Sequence, residues 1–199
     1  ALSRIDDSLR TASGDGDQRF LAALRRAFEM PSAHAAQQSP VQHSRAALLA
    51  LGIALGHERL ARVAGLDLDA ARFRDASLRR ERVTLRGRRD WPRHFALSAA
   101  LAIIGNSLVS DAGGLIKEEL DALTRGSGFS FGDLAADRAG VRFAVAATGS
   151  EGAARALRSR FGRGFVVDDL FPPVADLPED LTLEGFRERY GAVGSRRYR

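Results

Sequence analysis

Apolar residues recur at helical spacing through most of the chain. Between Asp17 and Met30, Phe20, Leu21, Leu24, Ala27 and Phe28 share one side, with Arg25, Arg26 and Glu29 opposite. Pro31 stops this helix. Ser39 then caps a second, with Pro40 in its first turn. It spans about 40–64 and carries Ala47, Leu48, Leu51 and Leu55. Its middle is apolar on most sides, so it belongs inside, and Gly65 ends it. Trp91-Pro92 opens a helix of small residues, about 92–116, with Ala96, Ser98, Ala99, Ala100, Ala102, Gly105 and Ser107. Gly113-Gly114 breaks it, or it continues to Leu123. Arg125-Gly126-Ser127-Gly128 is a loop. Further helices are predicted from Phe131 to Ala147, from Glu151 to Phe161, and from Thr182 to near Gly191. Residues 1–16 close on the punctuation Ser13-Gly14-Asp15-Gly16. Two short runs read as extended: Arg82-Val83-Thr84-Leu85-Arg86, turned by Gly87, and Phe165-Val166-Val167. The pattern is that of an all-α helical bundle with at most a minor short β element. It forms one domain over 1–199, with a helical hairpin at 90–148.

Composition narrows the chemistry. A hydrophobic content of 45% over 199 residues supplies a sizeable core. Cysteine is absent, which excludes disulfides, zinc–thiolate clusters and a cysteine nucleophile. The net charge is +5, and Lys117 is the only lysine among the 30 basic residues. Asn106 and Trp91 are likewise the only residues of their types. In a chain that uses arginine almost everywhere, a surviving lysine is a candidate for work that arginine cannot do. Arginines crowd residues 66–93. Arg86, Arg88, Arg89 and Arg93 are candidates for binding phosphate, sulfate, anionic lipid or glycan, since guanidinium forks match such oxygens. The alternative is a solvated connection. Few aromatic residues accompany them, so nucleic acid is a poor partner. No apolar run reaches the roughly 18–20 residues of a transmembrane span.

Candidate chemistry lies between His94 and Gly140. Lys117, Glu118 and Asp121 share one side if helical, at the edge of an apolar stretch. Asp133 and Asp137 are four apart on the next helix, with Gly140 continuing the stripe. Asp133 also suits a capping box with Ser130. Asp137 lies past the first turn, where a salt bridge to Arg93 or another arginine is the alternative to an inward-facing carboxylate. His94 opens the small-residue helix. Together these residues have the donor types for acid–base catalysis or for a divalent metal, although their spacing matches no metal motif. A continuous helix would carry His94 roughly 35 Å from Lys117, so the glycine break decides between one site and two. Gly128-Phe129-Ser130-Phe131-Gly132 imitates a nucleophile elbow. It lacks the preceding strand, and all four histidines come before the serine, so Ser130 reads as a helix cap. His57-Glu58 begins a zinc-protease pattern whose second histidine is replaced by Ala61.

The run Asp90-x-x-x-His94-Phe95-x-x-Ser98-Ala99, then Lys117-Glu118-x-x-Asp121, then Gly126-Ser127-Gly128-Phe129-Ser130-x-x-Asp133-Leu134-x-x-Asp137-x-x-Gly140 resembles a group of uncharacterised proteobacterial envelope proteins. These include small lipoproteins of the YfiM type and, more distantly, VanZ-like membrane proteins. The resemblance covers about a quarter of the chain. It implies a periplasmic or secreted location and a polar site held between helices, and it transfers no reaction. Two readings follow. One is a cell-envelope protein whose Lys/Asp/Glu cluster is structural or binding. The other is a hydrolase of envelope material that uses the carboxylates, His94 and a divalent cation.

Overall fold

The computed structural model describes residues 2–29, 39–57, 60–61, 64–66, 80–104, 130–174, 177–179 and 181–191. Within them the chain is an all-α bundle without a strand. Helix α1 (Leu2–Thr11) buries Ile5, Ser8 and Leu9. The sequence reading assigned no element there, although Ile5 and Leu9 are four apart. Helix α2 (Gly16–Phe28) follows a full capping box. The Asp15 carboxylate accepts from Gln18 N at 2.8 Å, and the Gln18 side chain accepts from Asp15 N at 3.2 Å. Such a cap contributes about 1 kcal/mol.

Helix α3 (Pro40–Leu51) starts at the predicted Ser39 cap and ends earlier than predicted. It passes into a π-helical turn, Gly52–Gly56, closed by His57 N–H donating to Gly52 O at 2.8 Å. Packing against the next helix explains the glycine at the start of this turn. A Cβ on Gly52 would lie 2.4 Å from the Ala100 methyl. Gly65, the expected terminator, has φ +68.

The predicted strand at Arg82–Arg86 is reduced to one bridge between Leu85 and Arg88. Arg86 (φ 54) and Gly87 (φ 76) both take positive φ, as the two-residue type I′ turn requires. An arginine in this region costs roughly 1–2 kcal/mol. Its guanidinium offsets that by donating to Phe171 O at 2.6 Å and pairing with Asp168. The Asp17 carboxylate, at the start of α2, accepts from Thr84 Oγ and from Gly87 N. The expected extended run at Phe165–Val167 gives way to a 3-10 turn, Val167–Asp169.

Helices α4 (Trp91–Ile104) and α5 (Phe131–Thr148) form the most extensive helix pair among the described residues. Both carry small residues at the seam. A Cβ on Gly140 would lie 2.2 Å from Phe95 O, and one on Gly132 would lie 2.6 Å from the Trp91 ring. Helix α6 (Glu151–Gly162) is capped by Ser150, and α7 (Leu183–Tyr190) by Thr182. Edge-on and tilted aromatic contacts tie the layers together. Phe20 meets Phe95 at 5.4 Å, Phe95 meets Phe143 at 5.5 Å, and Phe28 meets Phe161 at 5.4 Å. No helix among the described residues is long and apolar enough to cross a membrane.

Candidate functional site

The α4–α5 seam holds a polar cluster of two helices' making. His94 lies in the first turn of α4 and is 9% exposed. Its Nδ1 is 3.2 Å from Asp137 Oδ1, and its Nε2 is 3.6 Å from Asp133 Oδ2. The first is a hydrogen bond. The second is an ion-pair distance, too long for one. Ser98, one turn beyond His94, donates its hydroxyl to the same Asp137 oxygen at 2.7 Å. Both ring nitrogens of His94 thus face carboxylates on the neighbouring helix.

Local sequence explains the placement. Ser130 caps α5 by accepting from Asp133 N at 3.1 Å. This fixes Asp133 in the first helical turn and Asp137 one turn on, on the same side. The expected capping box is only half made, because the Asp133 carboxylate turns to His94. Asp137 pairs with His94 and Ser98, not with Arg93 or another arginine among the described residues. That corrects the salt bridge considered from the sequence. Its reason is the close α4–α5 approach, which leaves Asp137 facing His94. Ser98 was read as a small residue and as part of the resembling run, not as a member of the site. Its spacing of four from His94 was the signal that it shares the histidine's face.

Electrostatics divide the cluster. Burial pulls the His94 imidazole down, but the Asp137 hydrogen bond and the charges of Asp137, Asp133 and Asp90 outweigh it. The net effect raises its pKa above the ordinary 6.5. Burial pushes the Asp133 carboxyl above its ordinary value, with Asp90 and Glu179 adding to the rise, while His94 and Arg88 oppose it. Asp133 Oδ1 and Trp91 Nε1 are both buried without a hydrogen-bond partner. The arrangement can hold a proton on the ring between two carboxylates.

The four candidate anion-binding arginines separate into two pairs. Arg86 is engaged by Phe171 O and Asp168. Arg88 grips Asp90 with two nitrogens, pairs with Glu179, and lies 5.3 Å over the Trp91 ring. Both partners of Arg88 raise its pKa. These two arginines fasten segments of the chain to each other, and in this form they offer no open fork to an external anion. Arg89 and Arg93 line a cleft of about 540 Å³ together with Arg80, His57 and Glu81. Lys117, Glu118 and Asp121, the glycine break at 113–114 and the 125–129 loop lie outside the described residues. His94 meets Asp133 and Asp137 whichever way that break turns. Among the described residues, no group of three or more His, Asp or Glu side chains is placed to hold a metal ion.

No protein-family model, curated protein or solved structure matches the chain.

Proposed function

We propose that this is a helical cell-envelope protein, periplasmic or secreted, whose polar cluster fixes the register of α4 on α5 in a structural or binding role. One observation carries the reading of the cluster: both ring nitrogens of His94 are turned to carboxylates of the same chain. A general base needs one nitrogen aimed at a substrate. A histidine held from both sides acts as a latch, and its charge is compensated where it is buried. The envelope location rests on the resemblance of residues 90–140 to envelope proteins. Arg89 and Arg93 then supply a basic surface for anionic lipid or glycan.

A hydrolase of envelope material is the second reading. The unpartnered Asp133 Oδ1 and the raised affinity of that carboxyl for its proton favour it. A carboxyl whose hold on its proton is strengthened by burial is better equipped to donate one.

Asp137→Asn separates the two. The amide keeps the size of the side chain and loses its charge. The latch predicts a clear fall in melting temperature at pH 6, where His94 is charged, and a smaller fall at pH 8.5. A variant that melts like the wild type at both pH values removes the latch. Cell fractionation tests the location: the protein is expected in the periplasmic or extracellular fraction, and strict retention in the cytosol overturns it.

A further inference from the structure

A second cleft, of about 810 Å³, opens where α5, α6 and the 165–172 segment meet. That volume lies within the range of small-molecule sites. Its floor is apolar, built from Ala139, Phe143, Leu157 and Phe165. Its rim is charged in an uneven way. Asp168 and Asp169, the two carboxylates at the cleft, are taken up by Arg86 and Arg160. Arg138 and Arg142 stand one turn apart on α5, both exposed, and neither forms a hydrogen bond or ion pair with a described residue. The uncompensated charge at this cleft is therefore positive. It sits as a pair of forks beside an apolar trough.

Elsewhere on α5 the outward side is also apolar. Leu134 is 37% exposed, Val141 41% and Val145 62%. An ordinary surface helix keeps such residues inward. Two unpaired guanidinium groups at the edge of a hydrocarbon floor match one kind of molecule, with a negative head and an apolar body. A free inorganic anion would leave the floor unused. A neutral apolar ligand would leave the arginines unused.

We propose that this cleft binds a single-chain amphiphile with an anionic head, the head held between Arg138 and Arg142 and the tail laid over Ala139, Phe143, Leu157 and Phe165. The site lies away from the His94 cluster, which faces α4, and does not depend on it. Phe171 lines the same cleft and packs against Trp91, ring centres 5.0 Å apart and tilted. The single tryptophan is thus a built-in reporter of occupancy.

Calorimetric titration of the intact chain with dodecanoate, below its micellar concentration, tests this. Saturable binding of one molecule per chain is expected, accompanied by a change in Trp91 fluorescence. Dodecyl maltoside, with an alkyl tail one carbon longer and no charge, is expected to bind about tenfold more weakly or worse. The double variant R138Q/R142Q, altered only at exposed positions, should reduce dodecanoate to the level of the maltoside. Ala146→Trp, at an exposed position on the rim, should weaken both ligands by crowding the trough. The proposal is overturned if dodecanoate shows no saturable binding, if both amphiphiles bind alike, or if R138Q/R142Q leaves dodecanoate unaffected. Binding to anionic vesicles without binding of monomeric dodecanoate also overturns it, because the surface is then membrane-seeking and not a ligand site.

Discussion

His43 and His94 are almost equally buried, at 6% and 9% exposure, and yet they are driven in opposite directions. His43 Nε2 donates to Phe28 O at 3.1 Å. Its surroundings hold cations, Arg158 and Arg4, and no carboxylate is among the groups that perturb it. Burial lowers its pKa, the Phe28 carbonyl opposes that, and the arginines add to the fall. His94 faces three carboxylates, which reverse the effect of burial. Removal from water is common to both sites. The sign of the neighbouring charge is what differs, and it decides whether the ring keeps its proton. The neutral ring is therefore favoured at His43 on α3, which donates to the end of α2, and the charged ring is favoured at His94 inside a helix seam.

The contrast is sharpest when His94 is replaced by leucine. The substitution leaves Asp133 and Asp137 without their cation, and a loss of about 3 kcal/mol is expected in chemical denaturation at pH 6. A loss within the error of the fit breaks the comparison.

The pH dependence comes next in size. His94 has a raised folded pKa, so its contribution is complete below about 6.5 and fades as pH climbs through the folded value. His43 has a lowered folded pKa, so stability falls as pH drops below about 6.5. Together they predict greatest stability near pH 6.5, with a decline on each side. His94→Gln should flatten the alkaline decline, and His43→Gln the early acid decline. Melting curves from pH 5 to 9 check both. A loss of the wrong limb in either variant refutes the assignment.

His43→Gln at pH 7 should cost only about 1 kcal/mol, since a neutral hydrogen bond is exchanged for a weaker one. Smallest of all is Arg158→Gln, which removes one cation from the surroundings of His43. Its ring titration, followed by NMR, should move slightly upward and that of His94 should stay in place. A downward movement of His43 contradicts the cause assigned to its shift.

Much of the frame was legible in the chain. Ser39-Pro40, Ser130 and Thr182 announced helix starts, because a hydroxyl before a helix satisfies an otherwise unbonded N–H. Asp133, Asp137 and His94 were identified as polar residues on small-residue helices, and they do meet. Three things were hidden. The need for glycine at position 52, where the π-helical turn begins, depends on the methyl of Ala100, which lies far along the chain. The roles of Arg86 and Arg88 depend on Phe171, Asp168 and Glu179, more than 80 positions away. A run of arginines reads alike whether its partners are solvent or the protein's own carboxylates. The opposite fates of His43 and His94 were equally invisible, because each depends on charges supplied by other helices. The proposed envelope location rests on the resemblance of residues 90–140, which carries no reaction with it.

The contact between Gly140 and Phe95 O has a wider bearing. Here backbone rests on backbone, so the gap between ring and carboxylate is inherited from main-chain geometry and not adjusted by rotamers. Gly140 works as a shim of zero thickness. Any side chain there, even a methyl, would act as a wedge one turn from Asp137. The proton held at His94 could then be released by a change at a position that carries no charge.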